Sequence, residues 1–158
     1  MVVSQDQYMH YLNQLEKTPA KLVQMTAQLN SELLTTRRNN KWSINENIGH
    51  LLTIESLWIA RLDDFVMKKP TLRPWNGTNA DTEAGEFNKQ RTMKIIEDFM
   101  DVRNAHIQML KNLYSKSEEL KSFHEDKQKQ ISLAEHVEMM EEHDQLHLTT
   151  IENCIQAL

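Results

Sequence analysis

His143 and His147 stand four residues apart in a stretch whose apolar residues recur at helical spacing. Residues four apart lie one above the other on a helix face, so two such imidazoles are able to hold one metal ion. The same spacing also fits two solvated histidines flanking a core stripe, and spacing alone leaves both readings open. His147 falls inside the apolar stripe, His143 at its edge, and Asp144 near its middle. A carboxylate there is costly unless paired. It either orients a metal-bound histidine or bonds an arginine from another helix.

A third ligand has to come from another helix. His50 is one candidate: it lies two turns into an earlier apolar-periodic segment and follows Gly49, a glycine well inside an expected helix. Glycine costs about 1 kcal/mol there, which points to something approaching the backbone closely. Taken alone, His50 also reads as a packed or solvated histidine. His106 is the rival, central on the inner face of the third helix. If the second and third helices run parallel, His50 lies about 10 Å and His106 about 30 Å below the same end at 1.5 Å per residue, so they cannot share an ion. His106 therefore reads as a core histidine, His136 as peripheral, and His10 and His124 as surface. Cys154, one turn pair beyond His147, has no evident base or cationic neighbour and reads as a small buried hydrophobe; a nucleophile or soft ligand is the alternative.

Four helical segments must position these residues. The first runs from about Ser4 to Asn30, with Thr18-Pro19 expected to kink or break it. The second opens at the capping box Ser43-Ile44-Asn45-Glu46 and ends near Lys68, before Pro70. The third runs from about Ala84 to Tyr114, with Phe87, Ile95, Phe99, Val102, Met109 and Leu113 facing inward. The fourth opens at a second capping box, Ser132-Leu133-Ala134-Glu135. Between the second and third lies Lys69–Glu86, which holds Pro70, Pro74, Gly77 and Gly85. About 16 extended residues span roughly 50 Å, against about 36 Å for a 24-residue helix. The segment is thus long enough to cross from one end of a bundle to the other and let the two helices run parallel. An all-α four-helix bundle with a long crossover, in one domain over residues 1–158, follows.

Composition agrees. The 158 residues include only 3 Gly and 3 Pro, where average usage gives roughly 11 and 8; that scarcity disfavours turn-rich β folds. A net charge of −5 argues against a nucleic-acid surface, which needs a basic stripe, and against binding to anionic membranes. The single cysteine excludes an intrachain disulfide, and no apolar run approaches the roughly 20 residues of a membrane span. A cytoplasmic protein acting on a small molecule is the expectation.

Three stretches together resemble the DinB-like superfamily in its YfiT-like branch: Lys41-Trp42-Ser43-Ile44-Asn45-Glu46-Asn47-Ile48-Gly49-His50-Leu51, Lys69-Pro70-Thr71-Leu72-Arg73-Pro74-Trp75, and His143-Asp144-Gln145-Leu146-His147. The resemblance covers nearly the whole chain. It implies an up-down-down-up bundle, a homodimer, and a divalent metal (zinc, nickel or iron) held by His50, His143 and His147. It further implies a low-molecular-weight thiol as cofactor, since characterised relatives include thiol-dependent transferases and isomerases. Three neutral imidazoles leave an open position, where a metal lowers a thiol's pKa. Asn88 and Arg91, expected on the inner face of the third helix near His50, are candidates for an anionic group of that thiol; an ion pair between Arg91 and Glu55 is the structural alternative. Asp144 and Glu55 are candidates for the shell behind the ligands, and Trp75 and Asn76 for a roof over the site, with a structural aromatic plug as the equal alternative. A thiol S-transferase is the leading expectation. A non-catalytic metal-binding stress-response or interaction bundle is the second, and a metal-dependent hydrolase, for which no general base is evident beside the histidines, the third.

Overall fold

The computed structural model describes residues 2–158. Four long helices, α1 (Gln5–Thr26), α3 (Ile44–Val66), α5 (Thr92–Asn112) and α6 (Leu133–Gln156), form the bundle; α2 (Ser31–Thr35) and α4 (Ala80–Ala84) are short helices in the connections. The capping boxes expected at Ser43 and Ser132 are formed, and Ser4 with Gln7 builds a third.

Hydrogen bonds between ends fix the directions. Tyr8 Oη, at the start of α1, donates to the Leu110 carbonyl at the end of α5 (2.6 Å), and Tyr11 Oη reaches Glu138 near the start of α6 (2.8 Å). Asn45 Nδ2, at the start of α3, donates to the carbonyls of Phe87 and Gln90 just before α5 (3.1 Å each). Helices α3 and α5 therefore run parallel, with α1 and α6 opposite to them: an up-down-down-up bundle whose crossover joins α3 to α5.

The crossover is pinned rather than loose. Leu72 N donates to Phe123 O and Phe123 N to Pro70 O (2.9 Å each), tying its start to a two-stranded hairpin, β1 (Lys121–His124) and β2 (Lys129–Ser132). Strands of only four residues, Lys-Ser-Phe-His and Lys-Gln-Ile-Ser, carry too little apolar alternation to be legible beforehand. At its other end, Gly85 closes α4, Glu86 takes φ 47°, and Phe87–Lys89 form a 3-10 turn. The third long helix thus starts at Thr92, eight residues later than the expected Ala84.

Gly49 now has its reason. A Cβ built there would lie 2.1 Å from the Phe87 ring, and one on Gly85 would lie 2.4 Å from the same ring. Phe87 is clamped between the two glycines and seats the crossover against α3 beside His50. Gly49→Ala should therefore destabilise by about 1–2 kcal/mol, overpacking of about 1–3 kcal/mol outweighing the gain of about 1 kcal/mol in helix propensity. A melting temperature equal to or above wild type would refute the clamp.

The α1 helix does not break at Pro19; it is continuous from Gln5 to Thr26. Proline lacks the N–H that would bond the carbonyl four residues back, and that carbonyl, on Leu15, instead accepts from Arg103 Nη1 of α5 (3.0 Å). The interior is divided. One apolar cluster gathers Leu12, Phe65, Ile107 and Val137 toward the hairpin end; another gathers Leu22, Ile48, Phe99 and Ile151 toward the crossover end. Between them lies a polar layer with a part from every long helix: Thr18, Glu55, Arg103 with His106, and Asp144.

Candidate metal centre

Residue His50 sits in the second turn of α3, held in place by the capping box below it, and His143 and His147 lie on one face of α6. The structure brings the three together: one ring nitrogen from each lies within 4.8 Å of the others, and His50 Nε2 is 3.2 Å from His143 Nε2. His147 completes the cluster, its ring tilted against both others, with its centroid 4.7 Å from that of His50 and 4.6 Å from that of His143.

Hydrogen bonds behind the rings decide which nitrogens face inward. Asn47 Nδ2 donates to Ser43 O (2.9 Å), so Asn47 Oδ1 is left as an acceptor for His147 Nδ1 (2.9 Å). The proton of His147 therefore sits on Nδ1, and the Nε2 lone pair is free. For His50 a relay does the same: Nδ1 lies 3.1 Å from Thr82 Oγ1, which lies 2.8 Å from Thr53 Oγ1, which donates to the His50 carbonyl (3.2 Å). With Thr53 donating to that carbonyl, Thr82 donates to Thr53 and accepts from His50 Nδ1–H. His143 Nδ1 is buried without a protein partner. Burial, reinforced by His143, pushes His50 down to about 4; burial, reinforced by His143 and His50, pushes His147 down to about 3; burial also lowers His143. At neutral pH the site thus presents three uncharged imidazoles with converging nitrogens. That donor set fits a divalent ion, and oxygen acceptors behind the rings are the usual partners of metal-binding histidines.

Asn47, Thr82 and Thr53 were not legible as site residues. Asn47 sits three residues before His50 inside the motif that carried the resemblance, and threonine leaves no periodic signal. Trp42 is a further addition. Its ring lies 5.0 Å from His50 and 6.4 Å from His147, and its Nε1 donates to Glu83 Oε1 (2.9 Å). Arg37 joins both Glu83 and Glu46, holding the Glu46 carboxyl down to about 2, so the α3 start, the link before it and the crossover are one ionic unit.

The remaining expected residues lie elsewhere. Asp144 and Glu55 do not stand behind the histidines. Arg103, fully buried, reaches Glu55 Oε1 (2.7 Å from Nη2) and Asp144 Oδ2 (2.6 Å from Nη1), while Thr18 Oγ1 donates to Asp144 and His106 Nδ1 meets Glu55 Oε2 (3.0 Å). Asp144 thus takes the arginine alternative, and His106 is the core histidine expected. Burial by itself would raise the Glu55 carboxyl, but Arg103 and His106 outweigh it and hold it below its ordinary value. Arg91 is solvent-exposed at the N-cap of α5 and makes no pair with Glu55, which is already satisfied. Because α5 begins only at Thr92, the helical phase that turned Arg91 inward does not extend to it. Asn88 lies in the 3-10 turn and accepts from Ser43 Oγ, supporting the α3 cap.

Two histidines move inward. His136 is fully buried, edge-on to Trp58 (5.5 Å) and beside Phe65 (5.5 Å), where the expectation was peripheral. His124, expected at the surface, is buried against Arg61. Cys154 is half-buried and packs on the crossover-end apolar cluster, away from the three histidines. Trp75 and Asn76 do border a cleft that reaches His50.

No curated protein matches the chain. Its fold is shared with YfiT from Bacillus subtilis, described as a probable metal-dependent hydrolase with an unusual four-helix bundle topology: the TM-score is 0.81 at 18% sequence identity, over 99% of this chain and 90% of that one. No helix among the described residues is long and apolar enough to cross a membrane. A sequence model of the DinB superfamily matches residues 14–151, and the chain belongs to that superfamily.

Proposed function

We propose that His50, His143 and His147 hold one divalent ion through Nε2, and that the protein is a metal-dependent S-transferase joining a low-molecular-weight thiol to an electrophile. The observation that carries the reading is the convergence of three neutral imidazoles, two of which have their outer nitrogens committed to Asn47 and Thr82. An ion with three uncharged ligands supplies Lewis-acid stabilisation of an anion, lowering the pKa of a thiol or a water beside it. The chain's own part is orientation. Asn47 and Thr82 fix two ring tautomers, burial keeps the imidazoles unprotonated, and Trp42 covers one side of the rings. Asp144 and Glu55, the carboxylates expected behind the ligands, are bound to Arg103. A thiol needs less help from a general base than water does, which favours transfer over hydrolysis. Metal-dependent hydrolysis is the second reading, favoured by the all-imidazole ligand set, which suits activation of water, and by the description of the YfiT structure. We also propose a homodimer acting on a small molecule, without a nucleic-acid or membrane partner.

The metal is tested by elemental analysis of protein purified without a histidine tag. About one equivalent in wild type is expected, with loss in His143→Ala and affinity about 10–100-fold weaker in Asn47→Ala. Less than about 0.2 equivalents in wild type after incubation with zinc or nickel, each far above the micromolar range, would overturn it. Conjugation of a chromogenic electrophile with bacillithiol, mycothiol or glutathione, against hydrolysis of an activated ester, separates the two activities.

A further inference from the structure

A second cleft, about 440 Å³, opens from His50 and His143 and ends at Arg61 of α3 and the hairpin turn. Arg61 is 3% exposed. Its Nε donates to the Arg73 carbonyl (3.0 Å), and its guanidinium lies over the Trp58 ring, 5.8 Å from the centroid. No carboxylate among the described residues is within ion-pairing distance of it. The obvious partner, Asp64, one turn along α3, is taken: it accepts from Arg73 N, Nε and Nη2 at 2.9, 3.0 and 2.8 Å. Asp126 is exposed in the hairpin turn and lines the cleft together with Lys127.

The contact with His124 sharpens this. The Lys127 backbone N–H points at His124 Nδ1 (3.4 Å). Nε2 faces Arg61 Nη1 at 3.4 Å. A guanidinium only donates, so the polar contacts of Arg61 are this ring and the Arg73 carbonyl, neither of which carries a negative charge. Burying a cation without a counter-charge is costly, and a chain with a net charge of −5 has no shortage of carboxylates that would have served as a fixed partner. The side walls, Ile54, Leu57, Trp58 and Met139, are apolar.

We propose that Arg61 anchors a carboxylate in this cleft, so that the ligand is a small organic acid with an apolar body reaching back toward His50 and His143. One guanidinium matches a single negative charge; Lys127 is offset by Asp126, so a phosphate dianion is matched less well. The inference rests on the metal-centre reading for the reacting end of the ligand, but the anchor belongs to the chain itself.

The test is binding of 4-phenylbutyrate, 4-phenylbutyramide and inorganic phosphate to the whole protein, EDTA-treated and zinc-loaded, by calorimetry and by quenching of Trp58. The acid should bind the metal-free protein, at least about tenfold more tightly than the amide, and more tightly than phosphate. Arg61→Met should weaken the acid at least about tenfold while leaving the amide and the zinc stoichiometry unchanged; Arg61→Lys should recover part of the loss. Asp126→Asn should strengthen or preserve binding. The proposal is overturned if acid and amide bind wild type alike, if phosphate binds more tightly than the acid, or if the acid binds only the zinc-loaded form. It is also overturned if the acid binds Asp126→Asn and not wild type, which would make Asp126 the standing partner of Arg61. Should Arg61→Met not fold, the wild-type ligand series and the Arg61→Lys and Asp126→Asn variants decide it. Acid binding to a protein that takes up no zinc would leave the anchor standing and the metal centre refuted.

Discussion

Arg103→Met is expected to lower the stability of the fold by about 3–5 kcal/mol, the usual cost of removing one member of a buried ionic group, or about 6–20 °C in melting temperature for a chain of this size. The guanidinium is fully buried between Glu55 and Asp144, receives the face of Phe99 (4.6 Å), and fills the carbonyl that Pro19 leaves open on Leu15. Its loss strands two buried carboxylates as well as that carbonyl. Replacing the group whole has a different cost: Arg103→Met with Glu55→Leu and Asp144→Leu removes the charges along with their partners, and most of the loss should return. Thermal melts of the single and triple variants check both. A single variant within about 1 kcal/mol of wild type would show the layer to be a minor contributor.

Acid should weaken the metal-free protein well before its carboxylates titrate. An unfolded chain carries imidazoles with pKa near 6.5. In the fold, burial with the neighbouring rings holds His50 down to about 4 and His147 to about 3, and His143 and His136 are lowered as well, chiefly by burial. Below pH 6.5 the unfolded chain therefore binds protons that the folded chain refuses, so the stability present above 6.5 is lost progressively toward 3. From pH 7.5 to 5, His50 and His147 together account for about 2–4 kcal/mol, or about 4–16 °C. EDTA-treated protein melted across that range should show the fall, and a His50→Asn/His147→Asn variant should flatten it. A melting temperature level from 7.5 to 5 would mean that the cluster is not neutral by burial. Zinc should raise the melting temperature at 7.5 and lose its effect toward 5, because protons and the ion compete for the same lone pairs.

What the sequence made legible has a common physical origin: local signals. Ser43 with Glu46 and Ser132 with Glu135 are complete within one turn, and the four-residue spacing of His143 and His147 survives any packing of the bundle. Arg103 was hidden because arginine on a helix normally faces water. Yet it lies four residues after Phe99, in the stripe that continues through Ile107 and Leu110, while Met109 faces outward. Two carboxylates in the stripes of α3 and α6, Glu55 and Asp144, were asking for such a cation. Arg91 was misplaced because helical phase was carried through a break at Glu86. His136 and His124 owe their burial to the hairpin and to Phe65 and Trp58, contacts far away in sequence that no periodicity encodes.

The polar layer has a consequence for alignment. A helix in a wholly apolar bundle is able to slip by a turn, about 5.4 Å, and find equivalent greasy neighbours. Here Thr18, Glu55, Arg103 and Asp144 come from four different helices and meet at one level. A slip of any one helix separates a charge from its counter-charge, so the layer works as a four-part address that only one stacking of the helices satisfies. The all-leucine and methionine replacement described above would then keep its cohesion and lose its uniqueness. Its amide spectrum would broaden where wild type shows a single set of sharp lines, and the three imidazoles would no longer be delivered to the same point in every molecule.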